Sequence, residues 1–160
     1  MQKFARFGGF KTEELQTLIE LSETRSVEAN SLIIREGDPS DCMYLIVAGS
    51  VSVFRNASEG RIELAQLHEG DFFGELSLVD EGPRSASVEA GESTVLLVVG
   101  RDSARALAGV RPAAAIHLLT AVGRSLVERI RSGNQKFLDL ILSGYVSATP
   151  SGSIPDSKQS

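Results

Sequence analysis

Glycine sets the rhythm of this chain. Between Ser31 and Val99, turn glycines fall at positions 37, 49, 60, 70, 82 and 91, at intervals of 12, 11, 10, 12 and 9 residues. The stretches between them are short and rich in aliphatic residues: Leu32–Arg35, Met43–Val47, Val51–Phe54, Ile62–Leu67, Ala86–Ala90 and Thr94–Val99. Turn signals at that spacing predict short antiparallel strands closed into a sandwich or barrel. Val51 and Val53 alternate with Ser50 and Ser52, so that strand has one wet face. Ile62 and Leu64 alternate with Arg61 and Glu63, and the pattern slips at Ala65, where a bulge fits. Val95–Val99 is apolar throughout, as for a strand covered on both faces, although periodicity alone also fits a buried helix.

Helical patterns flank this region. Thr12 is a candidate N-cap, followed by the acids Glu13 and Glu14, which the helix dipole favours. Leu15, Leu18 and Ile19 then share a face, and the spacing predicts a helix ending near Glu23–Ser26. After Gly100, Asp102 or Ser103 caps a short helix that ends near Gly109. Pro112 suits the first turn of a long helix. Along it Ile116, Leu119, Leu126, Ile130 and Phe137 recur at three-, four- and seven-residue steps, with Gly123 and Gly133 in the same stripe. That stripe reads as a face covering the barrel, as a seam between two copies, or as both. From Ser143 onward the chain is rich in Ser, Gly and Pro and reads as a disordered tail, 143–160.

Composition narrows the function. The formal net charge of −5 argues against the whole chain being a nucleic-acid binder. The single cysteine, Cys42, cannot close an internal disulfide, and the N-terminal stretch lacks the long apolar core of a secretory signal, so a cytoplasmic setting is expected. No apolar run reaches membrane-spanning length. The two histidines, His68 and His117, lie far apart in the chain, which leaves no cluster for a β-barrel metalloenzyme. No nucleophile–base constellation is visible, so a non-catalytic role is expected, with neither metal nor cofactor.

One segment breaks the β pattern: Asp71-Phe72-Phe73-Gly74-Glu75-Leu76-Ser77-Leu78-Val79, continuing through Pro83-Arg84-Ser85-Ala86-Ser87-Val88. Gly74 permits close backbone approach, and Leu76, Leu78 and Val79 anchor a single helical turn whose leading amides favour an anion. Arg84 brings a fork of donors suited to phosphate, and Ser85 adds a hydroxyl. Glu75 would repel a phosphate, but it suits a sugar hydroxyl. Donors for phosphate beside one acid for a sugar describe a nucleotide monophosphate. The plainer reading makes Arg84 a surface arginine paired with Glu81 or Glu75, and Glu75 a first-turn acid.

Phe73–Leu78 (F-G-E-L-S-L) and Pro83–Val88 (P-R-S-A-S-V) resemble the phosphate-binding cassette of cyclic nucleotide-binding domains, the family of bacterial catabolite activators and of regulatory subunits of cyclic-AMP-dependent kinase. Arg35-Glu36-Gly37-Asp38-Pro39-Ser40-Asp41 and Met43–Val51 resemble that family's paired strands and glycine turns. The resemblance covers roughly residues 4–142. It implies an eight-stranded antiparallel jelly-roll barrel, about residues 27–100, with an N-terminal helix and C-terminal helices over about 101–142. It also implies a sensor of cyclic AMP or cyclic GMP. Glu75 then holds the ribose 2′-hydroxyl, Arg84 and Ser85 hold the cyclic phosphate, and Gly74, Leu76, Ser77 and Ala86 complete the cassette. Leu64 becomes a wall for the base. Glu128 and Arg129 stand where the activators present hydroxyl side chains to adenine from a helical lid. The resemblance further implies a homodimer through the long helix; against the family's activators, either an output domain is missing here or the chain works on a partner protein. Only 23 residues follow Phe137, so no helix-turn-helix domain and no DNA binding by this chain are expected. The alternative is an interaction scaffold that keeps the fold without the ligand.

Overall fold

The computed structural model describes residues 10–148, with side chains described to residue 143. Helix α1 (Thr12–Glu20) leads into strands β1 (Glu23–Val27), β2 (Leu32–Ile34), β3 (Cys42–Ala48), β4 (Ser50–Ala57), β5 (Gly60–His68) and β6 (Phe72–Phe73). A 3-10 turn over Glu75–Leu78 separates β6 from β7 (Ser87–Ala90) and β8 (Thr94–Gly100), followed by α2 (Arg101–Val110) and α3 (Pro112–Ala148). The chain forms two compact units, which divide between Val122 and Gly123.

The eight strands make two four-stranded antiparallel sheets, ordered β1-β8-β3-β6 and β2-β7-β4-β5. Consecutive strands therefore alternate between sheets in places, and the chain from β6 to β7 crosses from the first sheet to the second. Ile46, Val51, Phe73 and Leu96 bring side chains from both sheets into one core, with Tyr44 stacked on Phe73 at a centroid distance of 5.0 Å. Burial of such side chains is the main favourable term holding the sheets face to face.

Several boundaries differ from the sequence reading. Residues Glu23–Val27 are not the end of α1 but strand β1, paired along its length with β8 (Glu23↔Val98 to Val27↔Thr94). Its sequence, ETRSV, is polar because the strand lies at a sheet edge and is largely exposed; the backbone of β8, not an apolar pattern, makes it a strand. The barrel thus begins at residue 23 rather than 27. Helix α1 buries Glu14 and Leu18 and leaves Ile19 exposed. The bulge in β5 falls on Leu64: Val53 faces Ala65 and Phe54 faces Glu63, leaving Leu64 opposite neither. Helix α2 is capped two or three residues earlier than the candidates Asp102 and Ser103, with Gly100 in the N-cap position.

Helix α3 buries Ala114, Ala115, Leu118, Ala121 and Val122, at the i, i+1, i+4, i+7, i+8 spacing of one helical face. Ile116, Leu119, Ile130 and Phe137 are exposed. The stripe picked out by its large apolar residues is therefore a different face of α3 from the buried one. The helix continues through Ala148, six residues into the expected tail; residues 149–160 lie outside the described residues.

The first turns of α3 are fixed to α1. His117 Nδ1 lies 2.8 Å from a carboxylate oxygen of Glu14, which also accepts the Lys11 backbone N–H at 2.9 Å. Arg111 adds a hydrogen bond from Nε to Thr17 Oγ1 at 2.8 Å.

Candidate functional site

The crossover from β6 to β7 carries the residues singled out by sequence. It opens at Gly74, whose φ of 72° lies in the left-handed region. A Cβ there would be strained and would stand 2.7 Å from Arg84 Nη1. The left-handed backbone favours glycine here, and an added methyl would displace the arginine packed over it. The left-handed residue turns the chain sharply into the 3-10 turn of Glu75–Leu78.

Within that turn Glu75 is 0% exposed and Ser77 is 1% exposed. The Ser77 hydroxyl lies 2.6 Å from both the Cys42 and the Gly74 carbonyl oxygens. It braces the turn against the start of β3, facing inward. Leu76 is exposed, and Ser85 is exposed beside half-buried Ala86.

Arg84 stands across the loop from Gly74. Its guanidinium donates to the Cys42 carbonyl at 2.8 Å and to the Gly74 carbonyl at 3.3 Å. Its carbon lies 5.8 Å from the centroid of the Tyr44 ring. Burial, with the Cys42 side chain next in effect, pushes the Tyr44 hydroxyl up to about 12, so it stays neutral at physiological pH. The arginine's main chain is held as firmly. Its N–H donates to Asp38 O and its carbonyl accepts from the Gly37 N–H, both at 2.9 Å. Glu81, the partner expected on the plainer reading, pairs instead with Arg101 at 3.0 Å. Arg84 is thus placed by carbonyls and an aromatic face, with a cation left at the loop surface where donors to an anion are needed.

The structure brings Gly74, Glu75, Leu76, Ser77, Arg84, Ser85 and Ala86 together on this one crossover. Leu64 lies apart on β5, 48% exposed at the bulge. Glu128 and Arg129 are exposed on α3 and belong to the second compact unit.

Two contributors had no sequence signal. Cys42 matters through its carbonyl, which accepts from both Ser77 and Arg84. Arg101 ties the crossover to α2 through Ser77 O at 2.7 Å and Asp80 O at 3.2 Å. Main-chain acceptors look alike in any sequence, so neither role shows a motif. Among the described residues no group of three or more His, Cys, Asp or Glu is placed to hold a metal ion, and no helix is long and apolar enough to cross a membrane.

Arg84 and the buried Glu75 thus lie on one crossover between the two sheets. Residues 24–109 match the family model described as "Cyclic nucleotide-binding domain", and the chain belongs to that family. It is 37% identical over 123 residues to the cyclic AMP receptor protein of Thermus thermophilus, covering 76% of this chain and 57% of that protein. It is 31% identical over 136 residues to a CRP-like cAMP-activated global transcriptional regulator of Mycobacterium tuberculosis, covering 84% of this chain and 59% of that one. A cAMP-dependent protein kinase regulatory subunit of Aspergillus niger is 42% identical over 81 residues, which are 51% of this chain and 19% of the subunit. The chain thus spans from about a fifth to under two thirds of these relatives' length. The crystal structure of Thermus thermophilus catabolite activator protein superposes with a TM-score of 0.73 at 35% identity, over 85% of this chain and 62% of that one. A cyclic nucleotide-binding domain from Methylobacillus flagellatus gives 0.76 at 25% identity, over 96% and 86%.

Proposed function

We propose that this chain is a non-catalytic sensor of cyclic AMP or cyclic GMP whose ligand sits at the β6–β7 crossover. The observation that carries the reading is the joint placement of Glu75 and Arg84. The acid is fully buried in the turn, and the arginine is held over Gly74 by the Cys42 and Gly74 carbonyls. Glu75 accepts from the ribose 2′-hydroxyl. Arg84 and Ser85 donate to the cyclic phosphate, with the amides of Leu76 and Ala86 beside them and Gly74 and Ser77 shaping the turn. Leu64, exposed on β5, serves as a wall for the base. Glu128 and Arg129 supply the lid contact from α3.

Occupancy acts through α3, and the chain works as a homodimer paired along that helix, in the cytoplasm, with a partner protein as output. The support for pairing is the exposed row Ile116, Leu119, Ile130 and Phe137. A Cβ built on Gly123 or Gly133 would meet nothing within 4 Å, so the chain's own contacts do not require glycine at either position. Close approach of a second backbone would.

Calorimetric titration of the purified chain with cyclic AMP and cyclic GMP tests the reading. Saturable one-site binding of either is expected. Absence of binding by both at millimolar ligand would leave the scaffold alternative in its place.

A further inference from the structure

Arg101 is the first residue of α2, yet most of its side-chain contacts lie outside the helix. Its Nε donates to Ser77 O at 2.7 Å, inside the 3-10 turn. One terminal nitrogen donates to Asp80 O and to Ser40 O, each at 3.2 Å, and the other meets the Glu81 carboxylate at 3.0 Å. Its main-chain N–H donates to Asp41 O at 3.2 Å. One guanidinium thus gathers the exit of the turn and the loop between β2 and β3 onto the start of a helix. A planar fork of five donors suits that task, whereas an ammonium offers no such fixed plane.

The same loop is fastened at its other end to the segment that carries Arg84 into β7. Gly37 N–H and Asp38 O form the backbone pair with Arg84, Glu36 N–H donates to Ser87 Oγ at 2.9 Å, and Ser40 Oγ donates to Gly82 O at 2.8 Å. A shift of the turn or of the Arg84 segment therefore reaches Arg101 by two routes, directly through Ser77 and Asp80 and indirectly through Ser40 and Asp41. Arg101 is also only 23% exposed on its side chain, so water cannot readily replace these contacts.

We infer that Arg101 is a positioning residue that couples occupancy of the crossover to α2. This rests on the cyclic nucleotide reading above and adds the route by which that site is felt elsewhere. Arg101 touches no ligand. It holds the carbonyl ends of the turn in place and passes any displacement of them to the helix whose first residue it is.

The test uses the full chain and its R101Q and R101K variants, with cyclic AMP and cyclic GMP as probes. Wild-type protein should show ligand-dependent hydrogen exchange both in residues 72–88 and in α2. R101Q should keep the change in residues 72–88, with affinity weakened about tenfold or less, and lose the change in α2. R101K, which keeps the charge without the fork, should recover part of the α2 response. If R101Q no longer melts cooperatively, R101K alone is read against wild type by the same criterion. An α2 response in the folded variant equal to wild type overturns the inference, as does ligand binding to wild type with no α2 response at all. Failure of wild type to bind either nucleotide is a different result and sinks the proposed function instead.

Discussion

The β6–β7 crossover and the far half of α3 are built on opposite principles. In the crossover almost every conformational choice is dictated by something else in the chain. Gly74 takes a left-handed φ under Arg84, Ser77 is braced on Cys42, and Arg84 is held at both main-chain groups. Beyond Val122, α3 is regular, and its large apolar residues Val127, Ile130, Phe137, Leu138 and Leu140 are exposed. A segment constrained from within carries its purpose in its own geometry. A segment with an open apolar face has one that depends on what meets it.

The widest separation between the two regions should come from Arg84→Ala. Truncating one partner of a buried, hydrogen-bonded charge pair costs about 2–5 kcal/mol, roughly thirty-fold to several thousand-fold in Kd. Titration should show that loss in a variant whose far-ultraviolet circular dichroism is unchanged. Near-wild-type affinity would break the comparison on the crossover side. Leu126→Glu probes the other side. A carboxylate at a helix seam is costly to desolvate, so sedimentation at tens of micromolar should show a dimer become a monomer that still binds ligand. A wild type that is already monomeric, with and without nucleotide, removes the seam.

A smaller effect is expected from Gly74→Ala. A left-handed alanine costs about 1–2 kcal/mol, and the new methyl displaces Arg84 from its carbonyl. Affinity should fall by about tenfold to a hundredfold, with a lower melting temperature; the same substitution at Gly133 should leave affinity unchanged. The smallest effect concerns α1. The Lys11 backbone N–H, then the hydrogen bond and charge of His117, hold the Glu14 carboxyl below its usual 4.5 despite the opposing effect of burial. A carboxylate depressed in the folded state stabilises the protein above its unfolded pKa, and that contribution fades as pH falls through the lower folded value. Melting temperature should therefore drop from pH 6 to pH 3 more in wild type than in Glu14→Gln. Equal slopes would show that the contact is not maintained in solution.

Much of the barrel was legible because its strands obey their own rules. Val51 is in the core and Val53 packs against it, as their alternation with serine suggests, and the slip in β5 showed as a break in alternation. Strand β1 was hidden because an exposed edge strand needs no apolar residue and its partner lies about seventy residues away. Glu14 looked like an ordinary first-turn acid, since its burial depends on His117, which folds onto it from α3. At the proposed site, Glu75 and Arg84 stand out in the sequence because their side chains carry charge, and Gly74 because it carries no side chain and takes a left-handed φ. Arg101 and Cys42 do not, because one seeks carbonyls and the other offers one. The buried face of α3 was hidden because three of its five members, Ala114, Ala115 and Ala121, are small, and a search for bulk passes over them.

The crossover belongs to neither sheet, since it leaves β6 in one and joins β7 in the other. A molecule gripped there by the turn on one side and by Arg84 on the other acts as a rivet between two plates. Heat must then separate plates and rivet together, and the barrel should melt later and in a single step rather than shedding the crossover first. At a hundredfold excess over Kd the rivet adds about 2.7 kcal/mol, worth on the order of ten degrees for a domain of this size.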